Sequence, residues 1–306
     1  MTRLHVSLVT LIALLFPAGA AQARLKLAAT VPDLAAIARE VTGNRADVYS
    51  LTLPTQDPHF VDARPHLVLK LNRADLLLTV GLELEVGWLP VLLTGARNAK
   101  IQPGTDGYLD CSTLVRLKQV PRQKLDRSMG DIHPGGNPHY LVDPDNAIRV
   151  ARGVATQLAR LDSDGRGAYD KNAADFAERL KQARKRWAAQ LAPYRGTEVV
   201  AYHKSWVYFT DAMGLKIVEH LEPKPGIPPS AAHVLRVIRT MQAKKVPILL
   251  QEEYYPDRTA QLVSKKTGAR LLILSGGTHL QQGQTYLKRM DAMVDMLVAA
   301  LRAKKG

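Results

Sequence analysis

Three histidines stand in short polar breaks where apolar runs end. They are His59 in Gln56-Asp57-Pro58-His59-Phe60, His139 in Gly136-Asn137-Pro138-His139-Tyr140, and His203 in Val199-Val200-Ala201-Tyr202-His203-Lys204. The first two share a polar-Pro-His-aromatic frame. Proline fixes its own φ and biases the residue before it, Asp57 or Asn137, towards extended geometry, so each imidazole is presented by a stiffened loop. His203 closes an apolar run that reads as a buried parallel strand. Zinc and similar borderline-soft ions accept three neutral imidazoles and leave a fourth position for a carboxylate or water. One such histidine alone would read as a packing or surface residue. The repeated frame is what points to a metal.

Alternating elements must position these loops. Leu25 to Thr30 reads as a strand, followed by Val31-Pro32-Asp33 and a helix over Leu34 to Val41 for which Asp33 is the expected cap. Ala46 to Leu53 reads as a second strand that delivers the chain to His59. A helix near Pro65 to Leu71 and the apolar strand Asp75 to Val80 follow. Lys100 to Gly136, rich in polar turn residues, reads as a long connection leading to His139. Asp145 to Leu161 is an amphipathic helix. Ala168 to Leu191 carries Phe176, Leu180, Trp187 and Leu191 at helical spacing, with no internal proline or glycine.

Beyond it the alternation restarts, with strands expected at Glu198 to Tyr202, Lys216 to His220, Val246 to Gln251 and Arg270 to Leu274. Val234 to Ala243, Thr259 to Thr267 and Tyr286 to Ala303 fill the helical slots. The pattern predicts an α/β protein of two βα lobes with parallel sheets, joined by one long rigid helix, with ligands at the strand ends. The corresponding division is a leader over 1–23, a lobe over 24–163, a linking helix over 164–194 and a lobe over 195–306.

The leader follows from Arg3, the apolar stretch Leu8 to Phe16, too short to span a bilayer, and the small-x-small site Ala21-Gln22-Ala23. Cleavage after Ala23 and export are expected. No cysteine lies near that site, so no lipid anchor through an N-terminal cysteine is expected. Cys111 is the only cysteine among 306 residues, which excludes an intramolecular disulfide and a cysteine-rich zinc site. The formal charge of +14 is dispersed apart from the runs Lys181 to Arg186 and Arg302 to Lys305, with few aromatics between. It reads as a solvated surface and not as a nucleic-acid platform.

Four segments together resemble the periplasmic metal-binding proteins of zinc and manganese ABC importers. They are Asp57-Pro58-His59; Asn137-Pro138-His139-Tyr140-Leu141-Val142-Asp143-Pro144; Tyr202-His203-Lys204-Ser205-Trp206 with Tyr208-Phe209; and Glu222-Pro223-Lys224-Pro225-Gly226 followed by Pro229-Ser230. The likeness runs over nearly all of the chain after the leader. It implies a metal held in the cleft between the lobes, with His59 and His139 from the first and His203 from the second. Zinc-type members have histidine at the third position where manganese-type members usually have glutamate, so the resemblance favours Zn2+ over Mn2+. It also implies a non-enzymatic, monomeric binding protein that hands its ion to a membrane ABC permease.

Three departures from the family pattern stand out. The long histidine-rich loop of many zinc-type members is replaced by Ser128 to Gly135, whose single His133 cannot be a metal reservoir and reads first as a surface-loop residue, with transient contact to metal as the lesser alternative. Ser275 stands where members often carry an aspartate ligand. Glu252, with Glu253 beside it, falls where many relatives have a glutamate. The fourth ligand is therefore open among water, Glu252, Glu253 and His279. Asp57, Asp143 and Glu222 are expected to support ligands and loops, and Trp206 and Tyr208 to wall the site. His66, His220 and His233 read as structural. Two other classes stay in view, a zinc hydrolase using the same three histidines and a surface-interaction protein using the basic exterior. The chain has no His-Glu-x-x-His helix to support the hydrolase.

Overall fold

A computed structural model describes residues 24–121 and 133–303; the expected leader and its cleavage site lie outside the described residues. The first sheet contains β1 (Leu25–Ala29), β2 (Ala46–Ser50), β3 (Leu76–Thr79) and β4 (Tyr108–Asp110), in the order β2-β1-β3-β4. The second contains β5 (Glu198–Ala201), β6 (Lys216–His220), β7 (Ile248–Glu252) and β8 (Arg270–Leu274), in the order β6-β5-β7-β8. Every pairing is parallel. Parallel strands need helical crossovers that cover both faces, which is why two of the inner strands, β3 and β7, are buried at every residue and open on the apolar runs Leu76–Leu78 and Ile248–Leu250.

Nine α-helices occur among the described residues: α1 (Pro32–Thr42), α2 (Pro65–Asn72), α3 (Leu89–Ala96), α4 (Pro144–Leu161), α5 (Arg166–Leu191), α6 (Val207–Ala212), α7 (Ala231–Ala243), α8 (Arg258–Thr267) and α9 (Tyr286–Arg302). α5 is the expected long helix. At 1.5 Å per residue its 26 residues span about 39 Å. Its buried stripe includes Tyr169, Phe176, Leu180, Trp187 and Leu191. That stripe belongs to one apolar cluster that also takes in Leu27 and Leu78 of the first lobe and Val199 and Leu250 of the second. The lobes therefore share a core, and two smaller clusters lie on their outer faces.

The structure corrects two local expectations. Asp33 does not cap α1: the helix begins two residues earlier than expected, at Pro32, with Val31 at the cap position and proline in the first turn. Asp33 instead lies buried at the seam, accepting from Thr278 N (2.9 Å), Thr278 Oγ1 (2.6 Å) and Arg289 Nη1 (2.8 Å). The stretch from Lys100 is not wholly irregular either. It contains β4, paired with β3 from Leu77↔Tyr108 to Thr79↔Asp110. Three residues are too few to show a strand period, and only the partner strand defines them.

Candidate metal centre

His59 lies in the loop between β2 and α2, in a turn made by Asp57 and Pro58. Asp57 Oδ1 accepts from the His59 backbone N–H (3.0 Å) and lies 2.7 Å from His59 Nδ1. Trp88 Nε1 donates to Pro58 O (2.9 Å), pinning the turn to the first lobe. Asn137 stands in the equivalent place before His139, its Oδ1 accepting from His139 N at 2.9 Å. The shared polar-Pro-His frame is thus one structural device used twice: a side chain at position −2 receives the histidine's own N–H.

The second lobe approaches the same point. His203 follows β5 and is only 4% exposed. Its Nδ1 lies 2.5 Å from Glu222 Oε2, while Glu222 Oε1 accepts from Gly226 N (2.9 Å). Asn137 Nδ2 donates to Lys204 O (2.9 Å), and Tyr208 Oη donates to Asn137 O (2.9 Å), so the loops bearing His139 and His203 are tied across the seam. Asp143 caps α4 through Asp145 N (2.8 Å).

The ring nitrogens of His59, His139 and His203 offer one donor each within 4.8 Å of one another, the only such group of three or more among the described residues. His139 Nε2 and His203 Nε2 are 3.2 Å apart. Asp57 and Glu222 engage the Nδ1 atoms of His59 and His203, which leaves their Nε2 lone pairs free for a cation. Carboxylates in that position fix tautomer and orientation and offset the charge of a bound metal.

Burial lowers the pKa of His203, an effect that Glu222 only partly offsets. Burial, then the charges of His203, His59 and His133, holds His139 well below the ordinary imidazole value. Burial pushes Asp57 upward, but its hydrogen bonds to His59 and the charge of that ring prevail and lower it. Burial therefore favours the neutral form of His139 and His203, the state in which imidazoles ligate.

The residues expected for the fourth position do not join this group. Glu252, 1% exposed at the end of β7, lines a cavity of about 70 Å³ with His139, Ser205 and Trp206. No protein group completes a hydrogen bond to either of its carboxylate oxygens, and burial raises its pKa to about 7. Glu253, Ser275 and His279 engage one another instead: Ser275 Oγ lies 2.8 Å from Glu253 Oε1 and 3.0 Å from His279 Nε2. His279 faces a separate cleft of about 460 Å³, which His66 also lines. Trp206 walls the cavity, whereas Tyr208 acts as a tie between loops. One residue that the sequence presents as a plain surface-loop histidine stands beside the cluster. His133 Nε2 lies 3.3 Å from His59 Nε2, and burial followed by the charge of His59 lowers its pKa to about 4. Its only signal in the sequence is its place six residues before His139.

Two parallel-sheet lobes on a shared core, with a knot of imidazoles at their seam, define a two-lobed binding protein for a metal ion. The chain belongs to the family described as zinc-uptake complex component A, periplasmic, whose model matches residues 27–300. It is 26% identical over 289 residues to the manganese ABC transporter substrate-binding lipoprotein PsaA of Streptococcus anginosus, covering 91% of this chain and 89% of the relative. It is 27% identical over 253 residues to the iron-binding protein YfeA of Yersinia pestis, covering 81% and 75%. A crystal structure of ZnuA superposes with a TM-score of 0.76 at 21% identity, covering 90% of this chain and 98% of that one. By family the chain is a metal ABC transporter substrate-binding protein.

Proposed function

We propose that this chain is exported to the periplasm, loses its leader after Ala23, and captures one Zn2+ for import. The ion is bound by His59, His139 and His203 between lobes spanning 24–163 and 195–306. A monomeric protein then delivers it to a membrane ABC permease. The observation that carries this reading is the convergence of three imidazoles, two of them oriented through Nδ1 by carboxylates. The relatives' names include manganese and iron. Donor chemistry separates zinc from manganese: imidazole nitrogen suits zinc, whereas manganese favours carboxylate and water oxygen.

The function is capture without turnover. Neutral imidazoles close on the ion, Asp57 and Glu222 hold two of them in the ligating tautomer, and transfer needs only weakening of the contact between lobes. The test is metal analysis of protein purified without an affinity tag, followed by competition titration. One zinc per chain and a wide preference for Zn2+ over Mn2+ are expected. Manganese bound as tightly as zinc, or two tight zinc sites, would overturn the assignment.

A further inference from the structure

The zinc reading leaves one coordination position open, and a fourth imidazole already stands beside it. Zinc–nitrogen bonds of about 2.05 Å in a tetrahedron place neighbouring donors about 3.3 Å apart. His133 Nε2 and His59 Nε2 are separated by 3.3 Å, with ring centroids 5.4 Å apart. His139 Nε2 and His203 Nε2 are separated by 3.2 Å. His133 thus stands at ligand spacing from His59, while the group whose donors all lie within 4.8 Å of one another holds His59, His139 and His203 without it. His133, His139 and His203 also share the wall of a cavity of about 40 Å³, which His59 does not line.

The loop holding His133 is built for the position. Gly136 N donates back to His133 O (3.2 Å), and Gly136 takes φ +121°, a conformation side chains rarely adopt. A Cβ on Gly135 would come within 2.6 Å of the Leu82 side chain, so this loop lies directly on the turn after β3. Leu82 is held at φ 55° in that turn, and its backbone hydrogen-bonds the His133 ring. Metal-bound imidazoles commonly use a ring nitrogen this way while the other ligates.

We infer that His133 is the fourth zinc ligand, giving an all-imidazole site with three rings from the first lobe and one from the second. This rests on the zinc-binding reading above. It assigns the open position to the loop before His139, in place of water, Glu252, Glu253 or His279. A fourth nitrogen donor also widens the preference for zinc over manganese.

The test uses the full exported chain, free of affinity tags, loaded with Zn2+ for X-ray absorption and with Co2+ for visible spectroscopy. The native protein should show four imidazoles around zinc and the intense visible bands of four-coordinate cobalt. His133→Gln should leave the melting point of the metal-free protein unchanged, lower the imidazole count to three, and weaken zinc binding about 10-fold or more, the scale set by losses around metal sites. His139→Ala serves as the control for the site itself. Loss of zinc in His139→Ala with no change in His133→Gln would overturn the fourth-ligand assignment and leave the zinc reading standing. No change in either variant would overturn both. Should His133→Gln fail to fold, the count in the native protein decides alone, and three imidazoles would reject the assignment.

Discussion

The two lobes carry the same strand order and use it in different ways. In each, the chain leaves a central strand for one edge and returns across it, making a switch point between β1 and β3 and between β5 and β7. Open α/β sheets bind ligands in the crevice at such points. The second lobe follows this rule, with His203 just past β5 and Glu252 at the end of β7. The first lobe fills the same crevice from within. Glu85 accepts there from Thr30 Oγ1 (2.6 Å), Val80 N (2.7 Å) and Gly81 N (3.1 Å). Its histidines come instead from the loop after β2 and from the connection beyond β4. One lobe therefore offers a strand end and the other offers loops. Equivalent topology does not dictate equivalent chemistry, because side chains at the strand ends decide whether a crevice is open or already satisfied.

The largest effect should come from the seam that holds the lobes in register. Arg289→Leu leaves the Asp33 carboxylate buried without its guanidinium. Removing one partner of such a pair costs about 3–5 kcal/mol. Urea denaturation of the metal-free protein measures this, and a loss below about 1 kcal/mol would show that the shared core alone fixes the lobes.

Zinc should stabilise the native chain by about 4 kcal/mol when present at a thousandfold its dissociation constant. At about 2–4 °C per kcal/mol this is a melting shift on the order of 10 °C. His203→Ala removes the second lobe's only member of the imidazole group and should abolish most of that shift. A full shift in this variant would mean that the first lobe binds zinc alone.

The supporting carboxylates sharpen the contrast next. Glu222→Gln and Asp57→Asn should each weaken zinc by about 10- to 100-fold. Glu222 should stand at the upper end, because its side chain is 6% exposed against 20% for Asp57. Competition with a chelator measures both, and equal losses would remove the distinction between the two supports.

The smallest effect concerns pH. The depressed pKa values of His139, His133 and His220 mean that the unfolded chain takes up protons first. Metal-free stability, fully present above about pH 6.5, should be lost as pH falls towards about 4. Glu85 and Glu252, raised to about 7, work oppositely: the folded chain holds their protons, and their contribution is lost as pH rises from about 4.5 through 7. Glu252→Gln removes some of this opposing slope, so stability should fall more steeply between pH 6.5 and 4.5. Urea midpoints across that range check the sign.

Much of this is legible without any coordinates. The Pro-His frames mark His59 and His139 because proline stiffens the loop whatever lies around it, and the apolar run before His203 marks a buried strand. The long helix is visible in the spacing of Phe176, Leu180, Trp187 and Leu191. Asp33 misleads because a short acidic side chain before an apolar run has the local form of a cap, whereas its partners Thr278 and Arg289 lie more than 240 residues away. Apart from its place six residues before His139, His133 gives no signal, since nothing near it in the chain shows that its loop lies on Leu82.

The sequence by itself determined most of the elements, the family resemblance, the two framed histidines and the strand that ends at His203, because periodicity, proline geometry and short motifs act over a few residues. Only the tertiary structure decided that Asp57 and Glu222 meet the rings while Asp143 caps a helix, that Glu252 and Glu253 stay apart from the three histidines, and that His133 stands 3.3 Å from His59. Those outcomes depend on how two lobes pack around one core, and contacts between distant segments leave no trace in local spacing.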